Sequence, residues 1–270
     1  MTLAVNPFWS RIVLGSALLP VVLYLAWLGG WWLFALALAG GTLALHELYV
    51  IARGLRPLVL GGYAGLVLVL LGAELGGPAW LVVGIGGTFV LSFLVFGISD
   101  ARPSFTGAMG TTMLGVVWVA GGLAALVLIR DSDRGRLALL TVLLAVWGDD
   151  TAAYFVGRLI GRHRMAPTLS PKKSWEGFVA GTIAAIAVSF FALYMDRDTY
   201  LTIWQAVVLG AAIAMAAVLG DLFESAVKRD VAVKDSGRLL GGHGGFLDRL
   251  DSLLFAAPAA YAVVLALGHP

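Results

Sequence analysis

The sequence predicts an all-α integral membrane protein of about nine transmembrane helices, with a polar active-site cavity on the cytoplasmic side. Three observations carry the prediction. Hydrophobic residues make up 60% of the 270 positions and charged residues only 13%, where a soluble chain carries about 25% charged residues. Nine apolar runs of spanning or nearly spanning length follow one another, at 12–28, 31–51, 58–73, 79–97, 107–129, 137–157, 175–195, 203–222 and 250–267. Finally, Lys and Arg concentrate in alternate connections between these runs.

Taken in order, the first two runs are divided only by Gly29-Gly30, which reads as a tight helical hairpin. Run 58–73 is the shortest and is flanked by glycine. The runs are too long, and alternate too little, to be barrel strands. Trp9, Trp27, Trp31 and Trp32 read as an interfacial belt. Gly148, Ala152, Ala153, Gly157 and Gly161 run through the sixth segment and suit close helix approach. That packing could lie within one chain or between two, so a homodimer stays open. With the N-terminus in the cytoplasm, fourteen Lys and Arg lie inside, ten of them in 158–173 and 228–249. Four lie outside: Arg130, Arg134, Arg136 and Arg197. The outer loop at 131–136 is the one misfit. The C-terminus is then outside, and both large polar loops face the cytoplasm. Helices 1–5 fall in an N-terminal part, 1–130, and helices 6–9 in a C-terminal part, 131–270, which carries the polar loops. There is no cysteine, which excludes disulfides and thiolate metal sites. No cleavable signal peptide is evident, and no nucleic-acid partner is expected.

The polar chemistry concentrates in Asp221–Ser252, which holds six of the sixteen acids and five of the eighteen Lys and Arg. Asp221 and Glu224 are three residues apart, as are Asp248 and Asp251, so each pair shares a face if helical. Such carboxylates can hold a divalent cation. The bases between them, Lys228, Arg229, Lys234, Arg238, His243 and Arg249, can hold phosphate oxygens. Asp149 and Asp150 lie inside an apolar run, at an insertion cost of about 2.5–3.5 kcal/mol each. They need a cation, a partner or water. Ser170-Pro171 favours a turn, after which Lys172, Lys173 and Ser174 precede a helix with Glu176 in its first turn. That is a phosphate-binding arrangement, although the spacing is not a Walker A loop. Arg158, Arg162 and Arg164 suit either a phosphate site or a positive-inside anchor. His46 and Glu47 read as a hydrogen-bonded pair or as part of the polar cavity.

Ser225-Ala-Val-Lys228-Arg229, then Lys234-Asp235, Gly237, Leu240-Gly241 and His243-Gly-Gly-Phe-Leu-Asp248-Arg249-Leu-Asp251 resemble the pattern of the phosphatidate cytidylyltransferases, or CDP-diacylglycerol synthases. Asp150-Thr-Ala-Ala-Tyr154-Phe and Ser170-Pro-Lys172-Lys173-Ser174-Trp-Glu176-Gly177 are similar to that family as well, with Ser174 and Trp175 as departures. The resemblance covers the C-terminal half well and leaves residues 1–100 unidentified. It implies transfer of a cytidylyl group from CTP to phosphatidic acid, with release of pyrophosphate. It implies Mg2+, with a second, monovalent cation such as K+ assisting. It maps metal ligation to Asp221 and Asp248, with Asp150 and Asp251 close by, and substrate phosphates to Lys172, Lys173, Ser174 and the bases of the central stretch. Asp221, Asp248, Lys173 and Asp150 are the implied catalytic set, and the bacterial inner (cytoplasmic) membrane the implied location. Three other readings compete: an ion-coupled transporter, a lipid acyltransferase using the His243/Asp248 spacing, and a CTP-dependent lipid kinase.

Overall fold

A computed structural model of the chain describes residues 19–98, 104–195, 202–237 and 244–266. Eight helices run in chain order: α1 (Leu19–Leu28), α2 (Gly30–Ile51), α3 (Val59–Gly97), α4 (Phe105–Asp131), α5 (Gly135–Ile160), α6 (Trp175–Met195), α7 (Ile203–Asp230) and α8 (Asp251–Ala266). Among the described residues, α2, α3, α4, α5 and α7 are long and apolar enough to cross a membrane, while the other three are shorter apolar helices.

Two predicted runs, 58–73 and 79–97, are the arms of α3. The helix breaks at Gly77, whose φ of 70° is open to glycine at little cost, and Pro78 follows. The arms then fold back on each other. Gly84 lies against the backbone of Leu68 and Val69, Gly72 against that of Trp80, and Gly65 and Gly61 against Thr88 and Ser92. A side chain at these glycines would force the arms apart, so the small residues set the spacing.

The predicted hairpin between α1 and α2 forms at Gly29 and Gly30, both with positive φ. It also accounts for the misfit basic loop. Arg130, near the end of α4, donates to the carbonyls of Ala26, Trp27 and Leu28 at 3.3, 3.1 and 3.2 Å. These are otherwise orphaned acceptors at the end of α1, where a cation also meets the negative end of the helix dipole. Arg136 lies over the Trp27 ring. Arg130 and Arg136 are thus engaged by the fold, while Arg197 lies outside the described residues. Of the four tryptophans read as an interfacial belt, Trp27, Trp31 and Trp32 are exposed around this hairpin, and Trp9 lies outside the described residues.

Helix α4 is the most enclosed of the long helices, with 78% of its apolar window buried. A π-helical turn at Val116–Ala120 interrupts it. Around it, α5 packs on α6, α6 on α7, and α7 and α4 on α8. One core cluster runs from Ala26 through Val119 and Val146 to Ala260, so it draws on both the 1–130 and 131–270 parts. Gly157 and Gly161 approach Ser174, and Gly177 meets the Ala153 carbonyl. The small-residue stripe of α5 therefore packs within the chain, against the start of α6.

Two boundaries differ from expectation. The eighth run was expected to end near Leu222, but α7 continues to Asp230. Lys228 bonds Glu224 one turn earlier at 2.6 Å, an i,i+4 pair of the kind that supports a helix. The Ser170–Ser174 segment is a strand, β2, paired antiparallel with β1 (Arg164–Ala166). Glu176 closes this hairpin by accepting from the backbone N–H and ring of His163. Trp175 N–H bonds the His163 carbonyl at 3.0 Å. As expected, α6 begins directly after Ser174, whose hydroxyl accepts from Gly177 N–H at 3.2 Å and so caps the helix.

Candidate active site

The end of α5, the start of α6, Val218 and Asp221 of α7 and the β1–β2 hairpin surround a cavity of about 580 Å³. One part of its wall is acidic, with Asp149, Asp150 and Asp221. Another is basic, with Arg158, Arg164, Lys172 and Lys173. Lys173 joins the two, its Nζ lying 2.9 Å from Asp221 Oδ2.

The adjacent acids of α5 serve different neighbours. Asp149 is buried against Gly181 of α6, which has no room for a Cβ, and its Oδ1 has no donor among the described residues. Asp150 is exposed through the cavity mouth and accepts from Ser252 Oγ at 3.4 Å. It lies in the fields of Asp221, Lys173 and Arg249. Asp251, at the start of α8, lies in the fields of Asp221 and Asp150. Carboxylates from α5, α7 and α8 thus act on one another's charge near Lys173, and oxygen donors of this kind are the type magnesium takes. Among the described residues no three His, Asp or Glu are grouped closely enough to hold a metal ion together.

A second cluster lies further along α7. Lys228 Nζ bridges Glu224 at 2.6 Å and Asp248 at 2.8 Å. Asp248 also accepts from Ser236 N–H at 3.2 Å and Gly245 N–H at 2.7 Å. Burial pushes the Asp248 carboxyl up. The neighbouring Glu224 and Lys228 and the Gly245 N–H outweigh that and bring it down to about 2, so it is ionised at neutral pH. Glu224 is fully buried, with Oε1 lacking a donor among the described residues.

The sequence-derived set is therefore divided. Asp150, Lys172, Lys173, Ser174 and Asp221 line the cavity, with Asp251 and Arg249 contributing charge beside it. Asp248 and Lys228 form the adjoining cluster. Arg229 and Lys234 are exposed on the surface. Arg238 and His243 lie outside the described residues. His46 and Glu47 do not pair: His46 meets Tyr63 OH, while Glu47 bonds Ser236 and Leu247. Arg158 and Arg164 are cavity residues that sequence reasoning left balanced between anchor and phosphate site. A helical signal was present for the first. Asp150, Tyr154 and Arg158 are spaced by four along one face, and Arg158 donates to Tyr154 OH at 2.9 Å.

An apolar helical bundle with a charged, solvent-open cavity at one end defines a multi-pass membrane protein equipped to bring polyanions next to carboxylates. The model of the Cytidylyltransferase family matches residues 9–267, and the chain belongs to that family. A phosphatidate cytidylyltransferase of Staphylococcus epidermidis is 33% identical over 249 residues, covering 90% of this chain and 94% of the relative. One from Mycobacterium bovis is 34% identical over 280 residues, covering 94% and 87%. One from Haemophilus influenzae is 44% identical over 132 residues, covering 48% and 46%.

Proposed function

We propose that this chain is a nucleotidyltransferase that condenses CTP with phosphatidic acid to give CDP-diacylglycerol and pyrophosphate. The observation that carries the reading is the cavity in which Lys172, Lys173, Arg158 and Arg164 face Asp150 and Asp221, within a chain matched over nearly its whole length by relatives of that name.

Charge dictates the mechanism. An oxygen of the lipid phosphate forms a bond to the α-phosphorus of CTP, and the bond from that phosphorus to the α–β bridging oxygen breaks. Pyrophosphate departs with the bond electrons. The attacking oxygen is already ionised near neutral pH, so the residues need not supply a strong base. The obstacle is repulsion between two anions. Lys172, Lys173, Arg158 and Arg164 reduce it by fixing the phosphates in register and neutralising charge that grows on the leaving group. Ser174 holds the start of α6 and the strand that carries both lysines. Magnesium would be held by Asp221 with Asp150 and Asp251, and by Asp248 on exchange of its Lys228 contact; bound there, it would supply positive charge to the triphosphate.

CTP labelled in turn at its α and γ phosphorus tests the assignment with purified protein. The α label is expected in the lipid and the γ label in pyrophosphate. Recovery of γ label in the lipid would instead identify a lipid kinase.

The same reading places the cavity in the cytoplasm, in a bacterial inner membrane, with nine spans once the arms of α3 are counted separately. It rests on the excess of Lys and Arg at this end. A cysteine at Thr168 should label from the cytoplasmic side and one at Asp133 from the other. Labelling of both from one side would overturn the topology.

A further inference from the structure

We infer that Glu47, from the N-terminal half of the chain, is a positioning residue that holds both ends of the segment leading to Asp248. This rests on the reading of Asp248 as a site residue. Glu47 sits in the last turns of α2 and is 3% exposed. Its Oε2 accepts from Ser236 Oγ and from Leu247 N–H, both at 2.9 Å. These donors lie eleven positions apart in the chain. Asp248 spans nearly the same gap from the other side, taking the N–H groups of Ser236 and Gly245. Ser236 thus gives its hydroxyl to one carboxylate and its N–H to the other, and two acids cross-brace a single loop.

The packing leaves the brace no slack. A Cβ at Gly237 would run into the Glu47 carboxylate, and one at Gly245 into Ser236 Oγ and Glu47. Phe246, in the same segment, packs on Gly40 of α2. The family resemblance leaves 1–100 unidentified, and Glu47 ties that part of the chain to the site through Ser236 and Leu247. A buried carboxylate in an apolar bundle is costly unless it is hydrogen-bonded, and both bonds of Glu47 fall on Oε2, its Oε1 having no donor among the described residues. Here they fix where Asp248 and Lys228 stand relative to the cavity.

The test is steady-state kinetics of full-length protein in mixed micelles, with phosphatidic acid varied at saturating CTP. Misplacement of a reacting group by an ångström can cost on the order of 100-fold. Glu47→Leu is therefore expected to lower kcat by roughly that factor, with the KM for phosphatidic acid changed by less than about twofold. Glu47→Gln keeps an accepting oxygen and should recover most of the loss. Ser236→Ala should lower kcat less, since Leu247 N–H still bonds Glu47. The double variant Glu47→Leu/Ser236→Ala should be no worse than Glu47→Leu, because both remove one brace. If Glu47→Leu does not insert or fold, Ser236→Ala and Gly237→Ala decide, and both must lower kcat. Normal kcat in Glu47→Leu, or in either of those variants, overturns the proposal. So does Glu47→Gln as inactive as Glu47→Leu. Asp248→Asn is measured in parallel: if it is active, the site reading itself fails. If it is inactive while Glu47→Leu is normal, only the brace fails.

Discussion

Asp248→Asn and Asp221→Asn are each expected to lose nearly all cytidylyl transfer in protein that still inserts and folds. Asp248 is the hub of its cluster, receiving Lys228 Nζ and the N–H groups of Ser236 and Gly245. An asparagine offers one acceptor oxygen where these donors now share two, and its NH2 would face a donor. It also removes a charge that is present at any working pH, since the Asp248 carboxyl is held at about 2. Lys228 would keep only Glu224. Asp221 occupies the equivalent place in the cavity, against Lys173. Both members of this pair are partly exposed, so its loss alone costs less than the about 2–5 kcal/mol of a buried pair, and loss of the acid as a magnesium donor adds to it. The check is kcat/KM for CTP in each variant, beside a thermal unfolding midpoint close to wild type. Raised magnesium should partly rescue Asp221→Glu and leave both Asn variants inactive. Asp235→Asn should be mild, because Asp235 is exposed on the surface.

The second large effect is expected at Lys173. Its ammonium lies half-buried between Asp221 and the cavity, and Asp149 and Asp150 also lie in its field. Lys173→Ala therefore leaves three carboxylates less compensated and removes a cation from the phosphate wall. A cost of about 2–5 kcal/mol in kcat/KM is expected. Lys172 is exposed at the cavity wall and Lys172→Ala should cost less. Unchanged kcat/KM for both alanine variants would reduce the two lysines to topological anchors.

Much of this architecture was legible because membrane helices announce themselves by length and apolarity. The runs at 31–51, 107–129 and 137–157 all lie within helices α2, α4 and α5. The hairpin at Gly29-Gly30 follows from two glycines between two apolar runs. The acids were legible because carboxylates in apolar surroundings are costly. What resisted reading was pairing across distance. Glu47 and Ser236 are 189 positions apart, and no local pattern marks them as partners. Arg130, read as an outer residue against the charge bias, lies in the last turn of α4 and bonds the end of α1, a contact no local pattern announces. The β1–β2 hairpin was missed because Ser170-Pro171 reads as a turn, whereas its strands are held by a register and by the His163–Glu176 contact. The extension of α7 was missed because hydropathy stops at Leu222 while helical geometry continues through Glu224 and Lys228.

The central claim is that the Lys173–Asp221 and Lys228–Asp248 clusters form one catalytic centre. A double-mutant cycle of Asp221→Asn and Asp248→Asn on kcat/KM for CTP tests it most directly. Two acids serving one reaction should not act additively, so the double variant is predicted to be no slower than the slower single variant. Two partial losses that multiply in the double variant, or normal turnover by Asp248→Asn, would contradict the account.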